Sequence, residues 1–221
     1  IFLAAPQSLS GGTFVVDRLI VYPILTALLW LATARYTPFV RRILQWSFGG
    51  LAILLVVLHV PRVAILNRYY KEYVSLFDGV PAGATVLPLA LSNYATDPNG
   101  LLIAVRVLPL LHASGYAAVG RGFLDLSDYE GHLDYFPLRW RENLDPYLVV
   151  GNIGERSPIL DLRAYRKRGE GRLDYVAIWN NWGAMLLPQS YSMIFSQLET
   201  DFRLVDRSRP NGYGKLYRSA R

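Results

Sequence analysis

The amino-acid sequence predicts an α/β protein held in a membrane: two transmembrane helices followed by a small α/β domain with a mostly parallel sheet and an antiparallel edge hairpin. Three observations predict it. Residues 19–34 and 43–61 are apolar runs without Asp, Glu, Lys or Arg. A basic stretch carrying Arg35, Arg41 and Arg42 separates them. Beyond residue 80, short aliphatic runs bounded by turn residues alternate with helix-like segments, the pattern of a sheet covered by helices.

A bilayer core needs roughly 17–25 apolar helical residues. Residues 43–61 meet that outright, and residues 17–35 meet it with Arg35 snorkelling to the interface. Residues 1–66 are therefore expected to form a membrane hairpin with spans at about 17–35 and 43–61, entered through an apolar loop containing Gly11 and Gly12. Residues 67–80 are expected to be a juxtamembrane helix. Around them Ile65, Leu66, Tyr69, Tyr70, Tyr73, Leu76 and Phe77 recur at helical spacing, as in a helix lying in the interface. Pro81 and Gly83 end it.

Residues 81–221 are then an extracytoplasmic α/β domain, on the positive-inside rule applied to the Arg35–Arg42 loop. Strands are expected at 85–90, 123–126, 173–179, 202–205 and 215–218, and helices at 101–119 and 189–198. Asn211-Gly212 between the last two strands is a hairpin signal.

Composition excludes several classes of function. The chain has 221 residues, 52% of them hydrophobic, and a mean hydropathy of +0.20 whose excess lies before Pro61. The net charge of +6 is concentrated in residues 1–66, which carry five Arg against one Asp. The remainder is nearly balanced, so the basic pI of 9.6 belongs to membrane flanks and not to a nucleic-acid surface. Arg163, Arg166, Lys167, Arg168 and Arg172 form the one dense basic cluster there, expected to be a solvated loop. With no cysteine there are no disulfides, thiolate metal sites or Cys nucleophiles.

The densest polar constellation runs from Asp125 to Arg141 and follows a strand, where open α/β sheets bind ligands. Asp125, Asp128, Glu130 and His132 have metal-donor chemistry, but their spacing matches no defined metal loop; no metal and no cofactor is expected. Trp140 offers a face for a sugar ring, and Arg139 and Arg141 offer forks for an anion. Asp128 and Glu130 complete a ligand-binding candidate, the alternative being a structural loop. His112 lies in an apolar helical segment, as a hydrogen-bonded core residue or as a general base. His59, near the end of the second run, is read as interfacial. Trp179 and Asn180 follow the strongest strand and either line a cleft or make a polar turn with aromatic packing. No phosphate loop and no Gly-x-Ser-x-Gly elbow is present.

Gly11-Gly12 and Arg18-Leu19 before the first span, VPAGATVLP at 80–88, HASGY at 112–116, DYEG at 128–131, YFPLR at 135–139 and LDYVAIW at 173–179 occur in this order. The order resembles the C-terminal part of bacterial polytopic membrane proteins similar to the C-superfamily glycosyltransferases. The resemblance covers nearly the whole chain through loose motifs. It implies a lipid-phosphate-linked sugar donor, a glycan acceptor, many membrane helices and a catalytic acidic residue in an early extracytoplasmic loop. The chain begins at Ile1 with no initiator Met, so that loop and further spans are expected upstream, and no catalytic residue is carried over. The expected protein is a fragment of a membrane glycosyltransferase-like protein of the bacterial inner membrane. Its expected partners are membrane lipids, lipid-linked sugar and the remaining transmembrane helices. A non-catalytic membrane-anchored binding or assembly module is the alternative. A third reading makes both apolar runs core helices of a soluble enzyme.

Overall fold

The computed structural model describes residues 8–9, 12–13, 19, 21–91, 109–128, 130–134, 136–147, 161–167, 172–180 and 191–220. The chain divides into two units, residues 1–57 and 58–221. In the first, strands β1 (Ser8–Leu9) and β2 (Gly12–Thr13) pair antiparallel, and helix α1 spans Val21–Thr33. Helix α2, Pro38–Ser75, crosses the division.

Helix α2 starts where local chemistry dictates. The Thr37 hydroxyl accepts the Val40 N–H at 3.4 Å, and Pro38 occupies the first turn, where its missing N–H costs nothing. Its 38 residues extend about 57 Å. Among the described residues it is the one helix long and apolar enough to cross a membrane. The 13 residues of α1 reach about 20 Å, short of a hydrocarbon core of about 30 Å.

Two expectations are corrected here. The helix does not stop at Pro61, and the juxtamembrane helix expected at 67–80 is not separate: residues 67–75 are the end of α2, followed by a turn. Pro61 sits inside α2, where an interior proline costs about 3 kcal/mol. Packing downstream offsets it: Tyr73, Leu76 and Phe77 are at most 1% exposed, in the core of the second unit. The stripe that looked interfacial faces a sheet.

That sheet is mixed. Its five strands are β3 (Thr85–Ala90), β4 (Leu124–Asp125), β5 (Tyr175–Trp179), β6 (Phe202–Arg207) and β7 (Gly214–Ser219), in the order β4-β3-β5-β7-β6. Strand β3 is parallel to both β4 and β5, whereas β5–β7 and β7–β6 are antiparallel. The expectation of a mostly parallel sheet is thus corrected, two of the four pairings being antiparallel; the hairpin β6–β7 lies at the edge, with β7 inside the sheet. Pro88 is opposite Ala177 of β5, and on its other side β4 pairs with Thr85 and Val86 alone, so among the described residues no strand partner there needs the N–H that Pro88 lacks.

Alternation along the strands builds two cores. Val86, Tyr175, Ala177, Trp179 and Leu216 face the end of α2 and helix α3 (Ala113–Arg121). Leu87, Leu89, Val176 and Ile178 face helices α4 (Leu162–Lys167) and α5 (Ser192–Asp201). The second unit is therefore helix, sheet, helix in three layers. Helix α3 begins at Ala113 after a turn at 109–112, and the earlier part of the expected helix, 101–108, lies outside the described residues. Gly122, at φ 74°, ends it: the left-handed cap lets its N–H reach the Ala118 carbonyl at 2.8 Å.

Helix α4 replaces the solvated loop expected of the basic cluster. The Asp161 carboxylate accepts the N–H groups of Arg163 and Ala164 at 3.0 and 3.1 Å and caps the helix. Arg163 pairs with Asp201 of α5 at 2.7 Å, Arg166 lies 4.4 Å over the Phe202 ring, and Arg172 pairs with Asp174 at 2.7 Å. The expectation is thus corrected from loop to helix over 162–167, while Arg163, Lys167 and Arg172 remain exposed; Arg168 lies outside the described residues.

Candidate functional site

The loop following β4 is built from short side chain to backbone bonds. Asp125 accepts the Ser127 N–H at 2.8 Å and the Ser127 hydroxyl at 2.7 Å. Asp128 accepts the Glu130 N–H at 3.1 Å. These Asx turns lead into a single 3₁₀ turn, Glu130–His132. Trp140 then folds back over it: its N–H donates to the Gly131 carbonyl at 2.9 Å and its indole N–H to the Asp128 carbonyl at 3.0 Å. The indole rests so closely on Gly131 that a Cβ there would lie 2.7 Å from Nε1. Trp140 also packs on the core between the sheet and α4–α5.

Five sequence candidates therefore lie along one segment, with contacts of the kind that the structural-loop alternative describes. Asp128 and Trp140 close it. Glu130 starts the 3₁₀ turn, and Arg139 donates to the Asp134 carbonyl while pairing with the Asp134 carboxylate at 3.2 Å. Arg141 is exposed and leads a second 3₁₀ turn, Glu142–Leu144, its carbonyl accepting the Leu144 N–H at 2.8 Å.

The other candidates lie elsewhere. His112 is exposed at the start of α3, neither inside a helix nor in the core. Trp179 is corrected outright as a cleft residue: it is 1% exposed, with Tyr69, Tyr73 and Tyr213 rings 5.7–6.3 Å away. It packs on the sheet face opposite to Trp140. Asn180 donates its N–H to the Tyr213 carbonyl at 3.0 Å and thereby extends the β5–β7 edge. The rest of that motif, residues 181–183, lies outside the described residues. His59 is exposed within α2.

Sequence reasoning missed one titratable pair that the structure brings together. His132 Nδ1 lies 2.7 Å from Asp145 Oδ2. Asp145 is buried and accepts the Tyr147 N–H through Oδ1 at 2.9 Å, and the Tyr147 ring stacks on the imidazole at 5.2 Å. From α4, the Tyr165 hydroxyl donates to the Leu144 carbonyl at 3.3 Å. Burial, reinforced by the Asp145 charge, pushes the Tyr165 phenol up. Nothing in the thirteen-residue separation of His132 and Asp145 marks them as partners.

Asp125 lies on the α3 side, beside Ser114. Burial pushes its carboxyl above the usual range; the Asp128 charge adds to this, and the Ser114 and Ser127 hydroxyls oppose it. Ser114 itself is fully buried in α3, beside both the Asp125 carboxyl and the Tyr73 phenol. The metal set weighed from sequence is dispersed by these separate partnerships. No group of three or more His, Asp or Glu able to hold a metal ion occurs among the described residues.

No protein family matches this chain, and neither the characterised proteins nor the solved structures include one that does.

Proposed function

We propose that this chain is a membrane-anchored part of a bacterial glycosyltransferase-like protein of cell-envelope glycan or glycolipid assembly, whose α/β domain assists donor or acceptor binding outside the cytoplasm. One observation carries the anchoring: over residues 43–61 helix α2 is apolar and exposed on every side, yet it runs unbroken into a packed core. A helix apolar all round belongs in lipid. In this reading both apolar segments cross the inner membrane, and Arg35, Arg41 and Arg42 hold their connection on the cytoplasmic side. The order of motifs from Gly11 to Trp179 supports the glycosyltransferase resemblance, and the exposed Arg139 and Arg141 beside the ordered β4 loop suit a lipid-linked sugar phosphate.

The test is sugar transfer in membranes carrying the protein, with a polyprenyl-phosphate-linked sugar as donor. Arg139→Ala with Arg141→Ala is expected to lower transfer at least tenfold without loss of membrane insertion. Unchanged transfer overturns the site assignment.

The second reading is a non-catalytic membrane-anchored binding or assembly module. It is favoured by the internal use of Trp140 and of Arg139, both of which have partners within the loop. Absence of transfer with every lipid-linked donor tried decides for it.

A further inference from the structure

We propose that His132, held by Asp145, is a proton acceptor for a hydroxyl group bound against the β4 loop. A carboxylate only accepts hydrogen bonds, so the 2.7 Å contact from Asp145 Oδ2 places the ring proton of neutral His132 on Nδ1. The lone pair then lies on Nε2. Among the described residues Nε2 makes no hydrogen bond, and the side chain is 37% exposed while that of Asp145 is 9% exposed. An inner carboxylate behind an outer imidazole is the arrangement that orients a histidine base and stabilises it once protonated.

The surroundings hold this geometry fixed. Tyr147 stacks on one face of the ring and also donates its N–H to the other Asp145 oxygen. Behind Asp145, the Tyr165 hydroxyl of α4 is engaged by Leu144. Glu130 is the charged side chain of the turn that carries His132. Among these, Asp145 is the group hydrogen-bonded to the imidazole, so it is a positioning residue.

That the hydroxyl belongs to a glycan acceptor rests on the glycosyltransferase reading; the proton-accepting pair does not. In that step the acceptor oxygen bonds to the anomeric carbon of the donor sugar. The bond from that carbon to the lipid phosphate oxygen breaks, its electron pair leaving with the phosphate. The acceptor's hydroxyl proton passes to His132 Nε2 and then to water.

Two measurements on the protein in its membrane test this. The first is carbethoxylation by diethyl pyrocarbonate, followed by mass spectrometry at His59, His112 and His132. His132 is expected to react several-fold faster than the exposed His112, and Asp145→Asn to remove that advantage while far-ultraviolet circular dichroism stays unchanged. A His132 rate no greater than that of His112, or one indifferent to Asp145→Asn, overturns the proposal. The second is the sugar-transfer assay: His132→Gln is expected to lower kcat about 100-fold or more and to abolish the acid limb of its pH profile, with KM little changed. Wild-type kcat and profile in His132→Gln overturn the proposal and leave the transferase reading standing. If the wild-type protein transfers no sugar, the transferase reading fails and the carbethoxylation rates decide for or against the pair.

Discussion

Glu72 near the end of α2 holds Asn211 in the β6–β7 connection: Oε2 accepts the Asn211 side-chain N–H at 2.7 Å, across 139 residues of sequence. The same carboxyl group accepts the Ser208 hydroxyl at 2.7 Å and the N–H groups of Asn211 and Tyr213 at 3.2 and 3.3 Å. Glu72 is 2% exposed, so its oxygens depend on these donors. This clamp ties the helix that leaves the apolar run to the connection between β6 and β7.

Glu72→Ala is therefore expected to lower the stability of the α/β unit by roughly 3 kcal/mol, because it strands several buried donors at once. Glu72→Gln retains one acceptor oxygen and is expected to cost about 1 kcal/mol. Chemical denaturation measures the difference. Hydrogen exchange at Tyr213 and Gly214 should accelerate in the alanine variant before exchange in β3 does.

Asp125 makes the opposite case, a carboxyl group that the fold prefers uncharged. Its pKa is raised by burial, so its contribution to stability is complete below the unfolded value and is lost as pH rises through the folded value. Asp125→Asn keeps an oxygen to accept from Ser127 and removes the charge. The variant is expected to be more stable than wild type at pH 8 and to lose that advantage by pH 3. Thermal unfolding at the two pH values measures it, and equal gaps would contradict the assignment.

Asp174 titrates in the other direction. Partial burial raises its pKa, but the Thr85 N–H, the Arg172 guanidinium and the Thr85 hydroxyl outweigh this and hold it below the ordinary value. Its stabilising effect is present above the unfolded value and is lost as pH falls through the lowered one. Its Oδ2 accepts the Thr85 N–H at 2.9 Å and so pins the start of β3 to the start of β5. Asp174→Ala is expected to cost about 2 kcal/mol at pH 7 and much less at pH 2, as read from denaturation midpoints.

Gly131 decides whether the β4 loop can close. A Cβ there meets three atoms of the Trp140 ring at 2.7–3.3 Å, so Gly131→Ala must displace the indole. The expected results are a loss of about 1–3 kcal/mol and a slower carbethoxylation of His132, whose turn contains Gly131. Unchanged reactivity would show that the indole does not set the position of His132.

The elements that were legible in the sequence are those whose cause is local. Strand β5 was readable from its unbroken apolar run, and α3 in part, as the end of the helix expected at 101–119. The hairpin was readable in part: Asn211-Gly212 marks it, with Gly212 at φ 73°, but the connection spans 208–213 and is not a two-residue turn. Glu72 draws Ser208, Asn211 and Tyr213 toward the helix, and a sequence window cannot contain that contact. A signal existed, since Glu72 falls on the same helical face as Tyr69, Tyr73 and Leu76. Trp179 misled because an aromatic residue beside asparagines reads equally as a cleft wall or as a core; three tyrosine rings decided for the core.

The sequence by itself determined that residues 43–61 are apolar on all sides and that strands and helices alternate beyond residue 80, because periodicity and charge exclusion are properties of neighbours along the chain. Only the tertiary structure decided that α2 continues through Pro61 into the core, that the sheet is mixed, and that His132 belongs with Asp145. Each of these depends on the free energy of contacts between distant segments: buried aromatic surface that outweighs a proline, strand pairing that sets direction, and a single hydrogen bond that selects a tautomer.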